Sequence, residues 1–260
     1  MCAYWGYVMR KYMIALAFAS SSAFSTVASA DDWSGLYIGA HAGYASADWG
    51  VDLSHTTGAI IYNDFFKNND LSTDGAFIGG LQAGANYQTG NVVVGLEADV
   101  SWTNLDADGT YLSTGGPGRG GCPTGTHCTI WDISSEIQAL GTVRGRLGFS
   151  TGNVLIYGTG GLAWGLVDTK QATTHLPGNI PGARTSGDGN HIGYAIGGGG
   201  EYKISSNVSI KAEYLYIDLG DADYNLKGTV APGNPTPWAE SFEQDIQLHT
   251  FRVGLNYAFD

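Results

Sequence analysis

Val92-Val93-Val94-Gly95-Leu96-Glu97-Ala98-Asp99-Val100-Ser101-Trp102-Thr103 decides how this chain folds. Taken two residues at a time, Val92, Val94, Leu96, Ala98, Val100 and Trp102 share one face, while Glu97, Asp99, Ser101 and Thr103 share the other. Such a period of two marks a strand lying between an apolar and a polar medium.

The same split recurs on both sides of this stretch. Residues 77–87 set Phe77, Leu81, Ala83 and Tyr87 against Gln82 and Asn86, and residues 137–149 set Ala139, Val143, Leu147 and Phe149 against Gln138, Thr142, Arg144 and Arg146. Residues 194–204 oppose Tyr194, Ile196, Tyr202 and Ile204 to Glu201 and Lys203; residues 208–216 oppose Ile210, Ala212 and Tyr214 to Ser209, Lys211 and Glu213. The last segment carries Phe251, Val253, Leu255, Tyr257 and Phe259 against Arg252 and Asn256. Residues 36–47 and 154–167 complete a set of eight, although in 154–167 both phases hold large residues and the apolar face is not fixed. No stretch of 18 apolar residues occurs, so no helical membrane span is expected.

Connection lengths alternate strictly. Thr89-Gly90, Ser150-Thr151-Gly152-Asn153 and Ser205-Ser206-Asn207 have the composition of tight turns, whereas residues 49–73, 104–134, 168–189 and 220–247 are long, polar links. Short turns on one side and long loops on the other are the pattern of an outer-membrane barrel. The expected fold is therefore all-β: an eight-stranded antiparallel up-and-down transmembrane barrel, with both termini on the periplasmic side.

Composition agrees. The 260 residues include 40 Gly, 15 Tyr and 7 Trp with only 14% charged residues, too rich in glycine and aromatics for a typical soluble α/β enzyme. Arg10 and Lys11 precede an apolar run, and Ala28-Ser29-Ala30 supplies a small-x-small cleavage pattern. Residues 1–30 are expected to be a signal peptide cut between Ala30 and Asp31, and residues 31–260 the barrel; Met1 and Met9 are both candidate starts. Loss of that leader removes two bases and no acid, leaving ten basic against 24 acidic residues, a net charge of −14 that argues against nucleic acid as a partner. Cys122 and Cys128 remain as an even pair in an exported chain, which favours a disulfide. Zinc would need more ligands than nearby His127 supplies, so neither metal nor cofactor is expected.

A secreted lipocalin shares the alternation with the opposite sense. Loop asymmetry argues for lipid instead, as do aromatics expected at two rims: Trp33, Tyr87, Phe149, Tyr157, Tyr202, Tyr257 and Phe259 at the short turns, and Tyr44, Trp102, Trp164, Tyr194 and Tyr216 towards the long loops. The polar face balances Glu97, Asp99, Glu136, Glu201 and Glu213 against Arg144, Arg146, Lys203, Lys211 and Arg252. The interior of an eight-stranded barrel is just filled by side chains, so these charges are expected to close the lumen as an ion-pair network.

Trp33-Ser34-Gly35-Leu36-Tyr37-Ile38-Gly39, Glu213-Tyr214-Leu215-Tyr216-Ile217-Asp218-Leu219-Gly220 and the closing strand from Phe251 to Phe259 resemble the outer-membrane immunogenic protein family, small porin-like barrels related to the OmpA transmembrane domain. The resemblance implies a surface antigen of a Gram-negative cell, inserted by the outer-membrane assembly machinery, which reads a last strand ending in an aromatic. Phe251, Val253, Leu255, Tyr257 and Phe259 are that strand here, followed by the additional Asp260.

The expected function is thus a structural, surface-exposed barrel of the outer membrane, in contact with its lipids and lipopolysaccharide and open to host or extracellular ligands through its loops. A narrow porin-like channel is the alternative, with Arg144 and Arg146 as its gate. A lipid-modifying enzyme is the remaining class. His55, His127 and His175 fall in expected loops and His41, His191 and His249 in or beside strands, none in a local motif with a nucleophile, so no catalytic residue is expected. Glycine runs 115–121 and 197–200 lack the Lys-Ser/Thr and the helix of a phosphate cradle.

Overall fold

A computed structural model describes residues 32–54, 69–70, 72–73, 75–114, 128–176, 180–231 and 234–259. Eight long strands run through them: β1 (Gly35–Ser54), β2 (Ala76–Thr89), β3 (Val92–Thr114), β4 (Cys128–Thr151), β5 (Val154–Leu176), β6 (Ile180–Lys203), β7 (Val208–Ala231) and β8 (Asn234–Ala258). Neighbours pair antiparallel in chain order, and β8 returns to β1 from Tyr37↔Ala258 to Ser54↔Ser241, closing the sheet. Closure pairs the backbone groups that an open edge would leave bare in lipid. Two-residue strands Asn69–Asp70 and Ser72–Thr73, against β1 and β3, continue the wall above the shorter β2.

At the end of the barrel where Trp33 and Phe259 lie, Gly90-Asn91 and Gly152-Asn153 form two-residue turns, and the glycines adopt φ of 59° and 57°. Hairpins this tight need positive φ to match the twist of the strands. A Cβ on Gly90 would meet nothing within 4 Å, so the backbone conformation alone asks for glycine there.

Along β3, Leu96, Val100 and Trp102 are exposed and Glu97, Asp99, Ser101 and Thr103 buried. Above Thr103 the same two faces exchange character: Asn104, Asp106 and Asp108 are exposed, while Leu105 and Ala107 are buried. β1 does likewise with Ala45, Ala47 and Trp49 inside and Ser46 and Asp48 outside, and β8 with Ile246 and Leu248 inside. The barrel therefore has a lower part with an apolar exterior and a largely polar lumen, and an upper part with a polar exterior and an apolar interior.

This corrects the expectation of four long loops. Residues 104–114, 128–134, 168–176, 180–189, 220–231 and 234–247 are wall, and Trp131 and Trp238 belong to β4 and β8. Their outward faces are polar because they meet water, which gives them the composition of loops. A second correction lies in β4. The β4–β5 register passes from Ala139↔Leu166 to Ile137↔Val167, leaving Gln138 as an extra residue. Such a bulge reverses the phase of the strand. Ile137 is buried and Gln138 exposed, and Glu136, on the same face as Gln138, leaves the lumen set to which plain alternation assigns it. The undecided phase of β5 is resolved: Leu155, Tyr157, Thr159, Ala163 and Val167 face in, and Ile156, Leu162, Trp164 and Leu166 face out.

Candidate functional site: a filled lumen

Three layers of side chains fill the inside of the barrel. The lowest is an apolar cluster of Trp33, Val93, Leu155 and Tyr157 beside the short turns. Trp33 Nε1 donates to the Gly152 carbonyl at 3.2 Å, and Lys203, its Nζ 4.8 Å from the Trp33 ring centroid, donates to the Asp32 carbonyl. Trp33 and Tyr157 thus seal the lumen from below instead of standing in the rim, where the sequence reading places them. Tyr87, Phe149, Tyr202, Tyr257 and Phe259 remain exposed as the lower girdle, and Tyr44, Trp102, Trp164 and Tyr194 as the upper one, with Tyr216 half-buried.

The middle layer holds the charges. Arg144 from β4, fully buried, contacts Glu97 at 2.8 Å, Asp99 at 3.1 Å and Glu213 at 3.1 Å, and its Nε donates to Thr142 Oγ1 at 2.8 Å. Lys211 Nζ reaches Glu97 at 2.9 Å, and Arg252 Nη1 reaches Asp99 at 2.8 Å. Arg146 pairs with Glu201 and stacks on the Tyr157 ring, 3.9 Å from its centroid. Tyr37 Oη donates to Glu97 at 2.7 Å. Glu97, Asp99, Glu201 and Glu213 match Arg144, Arg146, Lys211 and Arg252 in number, all are buried, and their formal charges cancel. Removing eight charges from water is costly, and only mutual pairing with hydrogen bonds offsets it. The neutral margin of the layer is a chain from His41 Nδ1, 3.1 Å from Gln82 Oε1, through Gln82 to Asn256 and on to Glu201 Oε1 at 2.8 Å.

Above the charges lies the larger apolar cluster, which includes Trp49, Leu105, Ile137, Leu140, Leu219, Ile246 and Leu248. Eight of the ten charges that the sequence puts on the polar face, Glu97, Asp99, Glu201, Glu213, Arg144, Arg146, Lys211 and Arg252, meet in the middle layer. Gln82 and Asn256, read on the polar face, and Tyr157, read at a rim, join them, as do Tyr37 and His41, to which the sequence reading gave no place in the lumen. For Tyr37 and His41 the usable signal was phase, since the two share strand parity and His41 is polar. Phe251, Val253, Leu255, Tyr257 and Phe259 line the outer face of β8, all exposed. Ala30, Asp31 and Cys122 lie outside the described residues, and Cys128 opens β4. Among the described residues no group of three His, Cys, Asp or Glu side chains is placed to hold a metal ion.

Residues 14–259 match the family described as the outer membrane protein beta-barrel domain. The chain is 35% identical to the 31 kDa outer-membrane immunogenic protein of Brucella melitensis over 235 residues, covering 87% of this chain and 84% of that protein. It is 28% identical to the 22 kDa outer membrane protein of Rhizobium leguminosarum bv. viciae, covering 88% and 80%. Among solved structures, the outer membrane protein OprG from Pseudomonas aeruginosa aligns with a TM-score of 0.48 at 12% identity, covering 87% of this chain and 97% of that one.

Proposed function

The chain belongs to the outer membrane protein β-barrel family, and on that premise we propose that its lumen is closed and that its work is done by the surface it displays. As a surface barrel of the bacterial outer membrane it sits with its apolar belt in lipid and its upper wall in water. The observation that carries closure is the neutral set of four buried acids and four buried bases between two apolar layers. A solute path along the axis would have to break these ion pairs and strand their charges. A narrow channel gated by Arg144 and Arg146 fits less well, because both guanidinium groups are fixed by carboxylates: Arg144 by Glu97, Asp99 and Glu213, and Arg146 by Glu201.

The same layer supports a non-enzymatic role. His41 Nε2 stands 2.8 Å from Ser101 Oγ, but both are buried in the plug beyond the reach of a substrate. Outer-leaflet lipid and lipopolysaccharide are the partners that fit the belt and its aromatic rims. The alternating, aromatic-ended β8 suits the outer-membrane assembly machinery, and ligands from the host or surroundings would meet the polar upper wall and its connections. Planar-bilayer recording of the refolded protein tests closure: we expect no steady conductance, and a stable ohmic channel would overturn the reading.

A further inference from the structure

The upper exterior is dominated by acidic side chains, and among the residues whose side chains are described Lys170 on β5 and Arg184 on β6 place an exposed base on it. Both line one concavity of about 660 Å³, together with Asp108 and Thr110 from β3, Asp132 from β4 and Ser186 from β6. Strand register sets these residues in two rows. One runs Asp108, Ser134, Lys170, Ser186, and the next runs Thr110, Asp132, Ala172, Arg184. Each row has its acid two strands from its base, about 10 Å at the ~4.8 Å spacing of neighbouring strands. The hollow is therefore dipolar, negative towards β3 and β4 and positive towards β5 and β6. Asp132 accepts a hydrogen bond from Thr110 Oγ1 at 2.9 Å, which orients it, and among the described residues Lys170 and Arg184 have neither ion pair nor hydrogen bond.

We propose that this concavity binds a compact zwitterion, with its phosphate against Lys170 and Arg184 and its ammonium against Asp108 and Asp132. A lone anion would face two carboxylates and a lone cation two bases, whereas a ligand bearing both charges satisfies both poles. Arg and Lys converging on one group suit phosphate, which accepts several charge-assisted hydrogen bonds. Lys170 lies four residues above Leu166, the last exposed apolar residue of the β5 belt. At ~3.3 Å per residue and a tilt of ~40° that is about 10 Å, the headgroup zone of the outer leaflet. A phosphoethanolamine group has the required chemistry, borne by a lipid headgroup or offered as a free solute.

The folded protein in detergent micelles is titrated with phosphoethanolamine, inorganic phosphate and ethanolamine separately. We expect phosphoethanolamine to bind about tenfold or more tightly than either half. Lys170→Gln and Arg184→Gln should each weaken it about tenfold, and Asp132→Asn should remove the preference over inorganic phosphate. All three positions are exposed, and heat-modifiable migration verifies that the variants are folded. Repeating the titration in nanodiscs of phosphatidylglycerol with and without phosphatidylethanolamine separates the sources: competition by the lipid assigns the site to a headgroup, and unchanged binding assigns it to a free ligand. Absence of saturable binding, equal affinity for phosphate alone, or indifference to the variants overturns the proposal.

Discussion

Arg144 and Arg252 share one buried layer and use it differently. Arg144 engages Nε, Nη1 and Nη2, on Thr142 and three carboxylates, whereas Arg252 holds Asp99 through Nη1 and leaves Nε and Nη2 without partners. Lysine keeps the charge and discards the planar fork. Arg144→Lys is therefore expected to cost ~2–4 kcal/mol, since carboxylates lose bonds in a dry interior, and Arg252→Lys ~1 kcal/mol or less. Urea unfolding in micelles, followed by the heat-modifiable band, measures both; equal losses would show that charge alone, without the fork, holds the layer. At this scale the sequence was informative about membership and silent about pairing. Strand parity put Glu97, Asp99, Arg144 and Arg252 on one face, but Arg252 meets Asp99 across 153 residues because β8 closes on β1, and no local pattern encodes that partnership. Trp33 and Tyr157 misled because an aromatic near a strand end suits a girdle and a lumen seal equally well.

Apart from the shorter β2, the long strands cross two media, and their polarity is legible only where the medium is known. Reading lipid outside gives the lower halves of the strands at once, and the same rule turns residues 104–114 and 168–176 into apparent loops. Gln138 is a separate case, because one bulged residue shifts phase without leaving a compositional mark. Two outward positions on β3 locate the boundary: Leu96, 65% exposed in the apolar belt, and Asp106, exposed above it. Leu96→Arg should cost ~2–4 kcal/mol and impair assembly, while Asp106→Arg should change stability by a few tenths of a kcal/mol. Comparable losses at both sites would place Asp106 in lipid. Higher on β8, burial and then the Asp218 and Asp221 carboxylates raise the pKa of Asp245, which the register sets directly opposite Asp221. A carboxyl whose folded pKa is raised lends stability while protonated and loses it as pH climbs through that value. Asp245→Asn should accordingly raise the melting temperature at neutral pH, by an advantage that shrinks as pH falls through the raised folded value and is gone below about 4, the ordinary range of aspartate. A gain that is constant with pH would rule out the titration as its cause.

The whole molecule stacks two kinds of β-barrel on one set of strands, and the two should answer differently to their surroundings. In the upper part Leu105 is fully buried with Ile137, Leu140 and Val167 in an interior that water outside holds together, as in a soluble protein. Lower down, Leu96 points into lipid, which flows into any space a smaller side chain leaves. Leu105→Ala is thus expected to cost ~2–5 kcal/mol, the transfer and cavity loss of a packed core, and to cost nearly the same in micelles and in bilayers. Leu96→Ala should cost ~1 kcal/mol or less, because lipid fills the gap. Its effect should depend on the amphiphile, growing where chains cover the belt poorly. Parallel unfolding of both variants in short-chain detergent and in phospholipid bilayers separates the two regimes. If Leu105→Ala were the variant sensitive to the amphiphile, the apolar belt would have to extend above Trp102, and the exposed Asn104, Asp106 and Asp108 would be carrying their side chains into hydrocarbon, at a cost that nothing beside them offsets.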